Sequence, residues 1–291
     1  MASLLDMRRR IKSVKNTQQI TKAMKMVAAA KLKRAQDRVV GSRPFAGKLS
    51  EVLAGLSGKV AGEISHPLLD ERGDDKYLIV LVSADKGLAG AFNANVIKAT
   101  QAFLRKHPDK SAEMVPVGRK GRDFFKRREM KFLEEYIGLT GAGQVKLSDA
   151  VAIADKVIKT FTEDESIDKV FLVFTEFKTV LSQKPMIEQL LPIPRAAENE
   201  QPQTGAQAEY IYEQPAAEIF GKLLPKQVET QIYRGMIESV ASEQGSRMTA
   251  MDSASKNAGE LIDTLTLNMN RIRQAAITKE IIEVVSGAAA A

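Results

Sequence analysis

Hydrophobic and polar positions change period twice along this 291-residue chain. In the first sixty residues the apolar positions Leu4, Met7, Ile11, Val14, Ile20, Met24, Val27, Leu32, Ala35 and Val39 recur mostly at steps of three or four. That spacing predicts one long amphipathic helix. Gly41 and Pro44 are placed to end or bend it, and Gly55, Gly58 and Gly62 weaken it further on. Near the other end Met251, Ala254, Ala258, Leu261, Leu265, Met269, Ile272 and Ala276 repeat the pattern. Their mean step is about 3.5 residues, the period of a coiled-coil seam. Pro215 and Pro225 suit first-turn positions of successive helical stretches. Each helical segment covers about 60 residues, which at ~1.5 Å per residue reaches roughly 90 Å. No compact domain holds a helix that long, and segments at opposite chain ends pair most economically as an antiparallel hairpin.

From about residue 76 to 194 the period becomes strand-like. "KYLIVLVS" reads as a buried strand and "NANVIKATQAFLRK" as a helix. "AEMVPVG" is a strand, "KGRDFFKRR" a short helix, "KFLEEYI" a strand, "LSDAVAIADKVIKTF" a helix and "DKVFLVFTEF" a strand. Such alternation predicts an α/β domain on a largely parallel sheet. "TVLSQKPMIEQLLPIP" then returns antiparallel to the preceding strand, and 195–209 forms a polar, Pro- and Gln-rich linker. The expected fold is therefore α/β: a long antiparallel two-helix coiled coil with an inserted Rossmann-like domain. Its parts are a first helix over 1–60, the α/β domain over 75–195 and a last helix over 210–291.

Charge sharpens this picture. Residues 1–43 hold twelve Lys/Arg against two acids, a local excess of +10 that outweighs the whole chain's +7. A basic helix of this kind faces nucleic acid, anionic lipid or an acidic protein surface. There is no Cys, which excludes disulfides, thiolate metal sites and a cysteine nucleophile. His66 and His107 each lie beside a proline in polar, turn-like surroundings and read as surface residues. No apolar run approaches the ~20 residues of a membrane span. The opening "MASLLDMRRRIKS" lacks the apolar core of a secretory signal, so the expectation is a chain on the cytoplasmic side of any membrane.

Candidate chemistry is sparse. "SADKGLAGAFN" (Ser83–Asn93) joins strand to helix through two glycines but lacks the G-x-G-x-x-G spacing, so it reads as a tight turn. "GSRPFAGKL" misses the phosphate-loop pattern by one residue and by the Leu after its Lys. Glu134 and Glu135 have no base or nucleophile beside them in the sequence, and no metal-ligand constellation emerges. The expectation is a protein with no catalytic site and no cofactor of its own. Two other readings stand beside it: a basic coiled-coil nucleic-acid-binding or scaffold protein, and a dinucleotide-dependent enzyme built on the middle domain.

Three stretches carry a resemblance. "RRRIKSVKNTQQITKAMKMVAAAKL", "SADKGLAGAFN" and "SEQGSRMTAMDSASKNAGELIDTLTLNMNRIRQAAITKEIIEVVSGAAA" resemble the gamma subunits, the central rotor stalks, of F-type ATP synthases. The resemblance implies an antiparallel coiled coil turning inside a hexamer of alpha and beta subunits. It implies an α/β foot against epsilon and the ring of c subunits, with catalysis confined to beta. It assigns rotor–stator contacts to Met24, Lys31, Arg247, Gln274, Thr278 and Glu280. The weakly polar end, with Ile281, Ile282, Val284 and Val285, becomes an apolar bearing. Proton-driven rotation, no nucleic acid, and a peripheral place on the cytoplasmic face of a bacterial inner membrane follow from the same resemblance. Plastid relatives carry a regulatory dithiol that a chain without Cys cannot form. The C-terminal wording also resembles mitochondrial members.

Overall fold

The computed structural model describes residues 4–59, 66–141, 145–194 and 215–289, and among these described residues five strands and five helices form. In chain order they are α1 (Leu4–Lys59), β1 (Lys76–Val82), α2 (Phe92–Lys106), β2 (Ser111–Val117) and α3 (Arg119–Lys126). Then follow β3 (Lys131–Phe132), α4 (Leu147–Glu163), β4 (Lys169–Phe177), β5 (Gln183–Leu191) and α5 (Ala216–Ala289). The linker expected over 195–209 lies outside the described residues. Two compact units result, Met1–Ala29 with Arg247–Ala291, and Ala30–Ser246.

The sheet has the order β3-β2-β1-β4-β5. β1 pairs in parallel with β2 and β4, β2 with β3, and β5 closes the edge antiparallel to β4. β1 is central, and six of its seven residues are buried, as a strand covered on both faces requires. Ile79, Leu81, Met114 and Val173 form one core cluster with Val96 and Ile97 of α2 and Phe125 of α3. Successive strand side chains alternate faces. Leu172 and Phe174 of β4 therefore point to the other side, against Gly235 of α5.

β3 is shorter than the sequence suggests. The rungs Leu133 N–H to Met114 carbonyl and Tyr136 N–H to Pro116 carbonyl advance three residues on one side and two on the other. One extra residue around Glu134–Glu135 makes a bulge, which interrupts the ladder.

Of the three prolines singled out by sequence, Pro44 and Pro225 sit inside helices. α1 runs through Gly41 and Pro44 to Lys59, and α5 runs through Pro225 to Ala289. A proline forfeits one backbone bond. Around Pro225, burial of Leu224 and Val228 keeps α5 continuous. Pro215 does start α5, its carbonyl accepting the N–H groups of Glu218 and Ile219.

In the unit made by the chain ends, α1 and α5 run antiparallel. Gln18 donates to the Ser255 carbonyl at 3.3 Å and Lys25 reaches Asp252 at 2.6 Å, so advancing along one helix means retreating along the other. Along α1, one row of buried and half-buried positions runs 7, 11, 14, 18, 21, 25, 28, 32, 35, 39, 42, 46, 49 and 53, with other half-buried residues such as Met24 and Lys31 beside it. This is an unbroken alternation of four and three, a heptad seam. The register differs from the apolar pattern over one stretch. Ile20 and Val27 are 59% and 56% exposed, while Gln18, Thr21 and Lys25 hold the seam slots. These polar groups remain there because each is bonded, Thr21 to the Gln18 carbonyl and the other two to α5. On α5 the seam is 251, 255, 258, 262, 265, 269, 272 and 276, with Ile262 in place of the exposed Leu261.

Candidate functional site

Parallel sheets bind ligands at the carboxyl ends of their strands, where the strand order reverses. Here that point follows β1, between β2 and β4, and it is filled from within. Asp85 ends the turn after β1 and is almost fully buried. Its Oδ1 accepts the Arg119 N–H at the start of α3 (3.0 Å) and the Gly138 N–H (2.9 Å). Its Oδ2 accepts the N–H groups of Thr140 (3.1 Å) and Gly141 (2.8 Å) and the Thr140 hydroxyl (2.9 Å). Burial pushes this carboxyl up, but the donors of Gly138, Thr140, Arg119 and Gly141 together hold it below the ordinary carboxylate value. The nest of donors that a phosphate would use is occupied by the protein's own anion.

Ser83 locks the same corner. Its hydroxyl accepts the Gly121 N–H at 2.9 Å. Gly118 beside it has φ +104°, and a Cβ there would lie 2.1 Å from the Ser83 carbonyl oxygen. Only glycine permits that conformation and that approach. "SADKGLAGAFN" is thus a tight turn with a structural carboxylate, and the dinucleotide reading loses its site. The sequence signal was the Asp after a buried strand, but its five donors come from segments 34 to 56 residues away.

The helical candidates lie elsewhere. Met24 is half-buried beside the α1 seam, and Lys31 is half-buried further along the same helix. Arg247 is half-buried on α5. Gln274, Thr278 and Glu280 are exposed, and Thr278 donates to the Gln274 carbonyl at 2.9 Å. That bond brings two of the six together on one helix face; the others are separate points along α1 and α5. Ile281 and Ile282 are each 58% exposed, Val284 72% and Val285 62%. From Ile277 to Ala288 every side chain of α5 is exposed.

Sequence reasoning missed the Lys25–Asp252 pair. Lys25 and Lys256 together hold the Asp252 carboxyl below its ordinary value. Its only signal was opposite charge at two positions flanked by seam residues. Part of the basic helix is thereby committed inside the protein, while Arg8, Arg9, Arg10, Lys12, Lys15 and Lys22 remain exposed.

Comparison with known proteins gives the same pattern throughout. The family model described as ATP synthase matches residues 3–291. An ATP synthase gamma chain of Solibacter usitatus is 52% identical, with both chains fully covered. One from Desulforamulus reducens is 50% identical over all of this chain and 99% of its own. A chain in the structure of the Tetrahymena thermophila mitochondrial ATP synthase central stalk and c-ring is similar, with TM-score 0.61 and 25% identity. That match covers 81% of this chain and 99% of the other. A chain of the Euglena gracilis mitochondrial ATP synthase, in its OSCP/F1/c-ring structure, shares the fold at TM-score 0.67 and 17% identity. There the coverage is 99% and 94%.

Proposed function

The chain belongs to the ATP synthase gamma-chain family, and from that premise we infer that it is the central rotor shaft of an F-type ATP synthase. As shaft it couples ion flow through a membrane sector to ATP synthesis or hydrolysis on a surrounding hexamer. The observation that carries this reading is the end-to-end match with curated gamma chains, with no part of the chain left over. The geometry agrees with it. An antiparallel two-helix section ends in a single helix with every side chain from 277 to 288 exposed, a surface suited to burial by another molecule.

The finer assignments belong to the same proposal. Residues 1–60 and 210–291 serve as the paired shaft, and 75–195 as the inserted foot. Alpha and beta subunits surround the shaft; epsilon and the c-ring meet the foot. Catalysis stays on beta, and this chain supplies no catalytic group. Met24, Lys31, Arg247, Gln274, Thr278 and Glu280 contact the stator at particular angles. Ile281, Ile282, Val284 and Val285 turn in an apolar sleeve. Among the described residues no helix is long and apolar enough to cross a membrane. The family membership supports a peripheral place, reached through the complex, and the proposal sets it on the inner face of a bacterial membrane.

Purification of the complex from membranes tests the reading. One copy of this chain should accompany three alpha and three beta subunits, and a probe fixed to it should rotate on ATP addition. An ATP-hydrolysing hexamer that lacks the chain but still pumps protons would overturn it.

A further inference from the structure

β4 outruns its neighbour. The parallel ladder between β1 and β4 ends at Val173, opposite Leu81, while β4 continues to Phe177. Past that point β4 stays paired with β5 on one edge, while on the edge that β1 leaves open its backbone takes partners from side chains of α5. Ser239 Oγ accepts the Thr175 N–H at 3.1 Å, Ser242 Oγ donates to the Thr175 carbonyl at 3.1 Å, and the Glu238 carboxylate accepts the Phe177 N–H at 3.3 Å. All three side chains are buried.

The surroundings allow helix and strand to come this close. A Cβ at Gly235 would lie 2.9 Å from Leu172 Cδ2. Arg234 pairs with Glu188 of β5, and Ser246 donates to Gln183 at the start of that strand. Apolar contact alone lets a helix turn or slide on a sheet with little change in energy, because it is not directional. Buried hydrogen bonds to backbone groups set both the helix's rotation and its register, since each is lost within a few tenths of an ångström.

We propose that Glu238, Ser239 and Ser242 form a torsional clamp through which torque passes between the shaft helix α5 and the α/β sheet. The proposal rests on the rotor reading. The three are positioning residues: they touch no nucleotide, and their role is to stop α5 turning against β4.

The test uses the whole complex. With no native Cys in the chain, a single Lys98→Cys on the exposed face of α2 carries a bead. The hexamer is fixed to a surface, and the bead's angular fluctuation is recorded in the stalled state and during ATP hydrolysis. S239A with S242A removes two of the three buried bonds, so the angular variance should widen about two- to threefold. Subunit stoichiometry and unloaded hydrolysis should be unchanged, which a loss of folding would not permit. E238Q keeps an acceptor for the Phe177 N–H and should hold wild-type variance. If the double variant does not assemble, S242A alone is read in the same way, with a smaller widening. Wild-type variance in the assembled serine variants overturns the clamp while the turning parent complex upholds the rotor. A parent complex that hydrolyses ATP without turning the bead overturns both.

Discussion

Two buried carboxylates show how one residue type takes opposite roles. Asp85 answers five donors and is held below the ordinary 3.8 of its kind. Its folded pKa is depressed, so its stabilisation is complete above the unfolded value and vanishes as pH falls through the folded one. Glu238 shifts the other way. Burial raises it, against the pull of the Phe177 N–H and of Arg234 and Arg43, and with Glu176 adding repulsion. Its contribution is most favourable at low pH and is lost as pH rises through its raised value. Urea titrations from pH 7 to pH 3 separate the two. The gap between wild type and D85N should shrink only at the acid end, while E238Q should gain on wild type as pH rises. D85A leaves four backbone N–H groups unanswered, and should cost about 3 kcal/mol or more in a denaturant series. A D85A chain as stable as wild type would remove the carboxylate from its role.

Among the elements, the helices carry the more informative contrast. Leu32 is buried on the α1 seam and Ile20 is 59% exposed on the outer face. In the isolated chain L32A should cost about 2–4 kcal/mol, and I20A should stay within about 0.5 kcal/mol. Inside the complex the order of effects changes, because the outer face then meets the hexamer and I20A should weaken assembly. Thermal melts of the free chain and subunit yields of the complex check the pair. On the sheet, Gly235→Leu should separate α5 from β4 and leave the free chain insoluble, whereas a change at the open Gly287 should do nothing.

At the scale of the whole molecule, charge and burial divide the work. Lys25 is tied to Asp252, so reversing it disturbs the protein itself. Reversal of Lys15 and Lys22, which are exposed, tests outward contact cleanly and should impair assembly or coupling while single changes stay mild. The tip obeys a different rule. Ile281, Ile282, Val284 and Val285 each gain about 1.5–3 kcal/mol when fully buried, and an interaction equal at every angle shifts no rotational equilibrium. Deleting 287–291 should therefore be tolerated. V284D with V285D should weaken assembly by placing charge in an apolar sleeve. R247A with Q274A should leave the complex intact but slow its turnover or loosen its coupling. Hydrolysis and proton pumping in membrane vesicles distinguish the three; a disabled deletion beside a normal R247A/Q274A pair would refute the division.

Period alone, read along the chain, determined much of this protein. The long helices at both ends, the parallel strands between them and the antiparallel return of β5 all follow from which positions are apolar, because burial demands that pattern wherever the element packs. The basic first helix and the lack of a phosphate loop were equally legible, being properties of residue type. The tertiary structure decided what depends on distant partners. Ile20 and Val27 look like seam residues until the pairing with α5 seats Gln18, Thr21 and Lys25 there instead. Pro44 and Pro225 look like boundaries, but one lost backbone bond does not stop a helix whose neighbouring turns are packed. Asp85 is one acid among many until two distant segments bring four N–H groups to it, and the serines at 239 and 242 are ordinary helix residues until β4 outlasts β1. Hydrophobic burial is a local demand that repeats along the sequence, whereas a directional bond requires a partner whose position only the fold supplies.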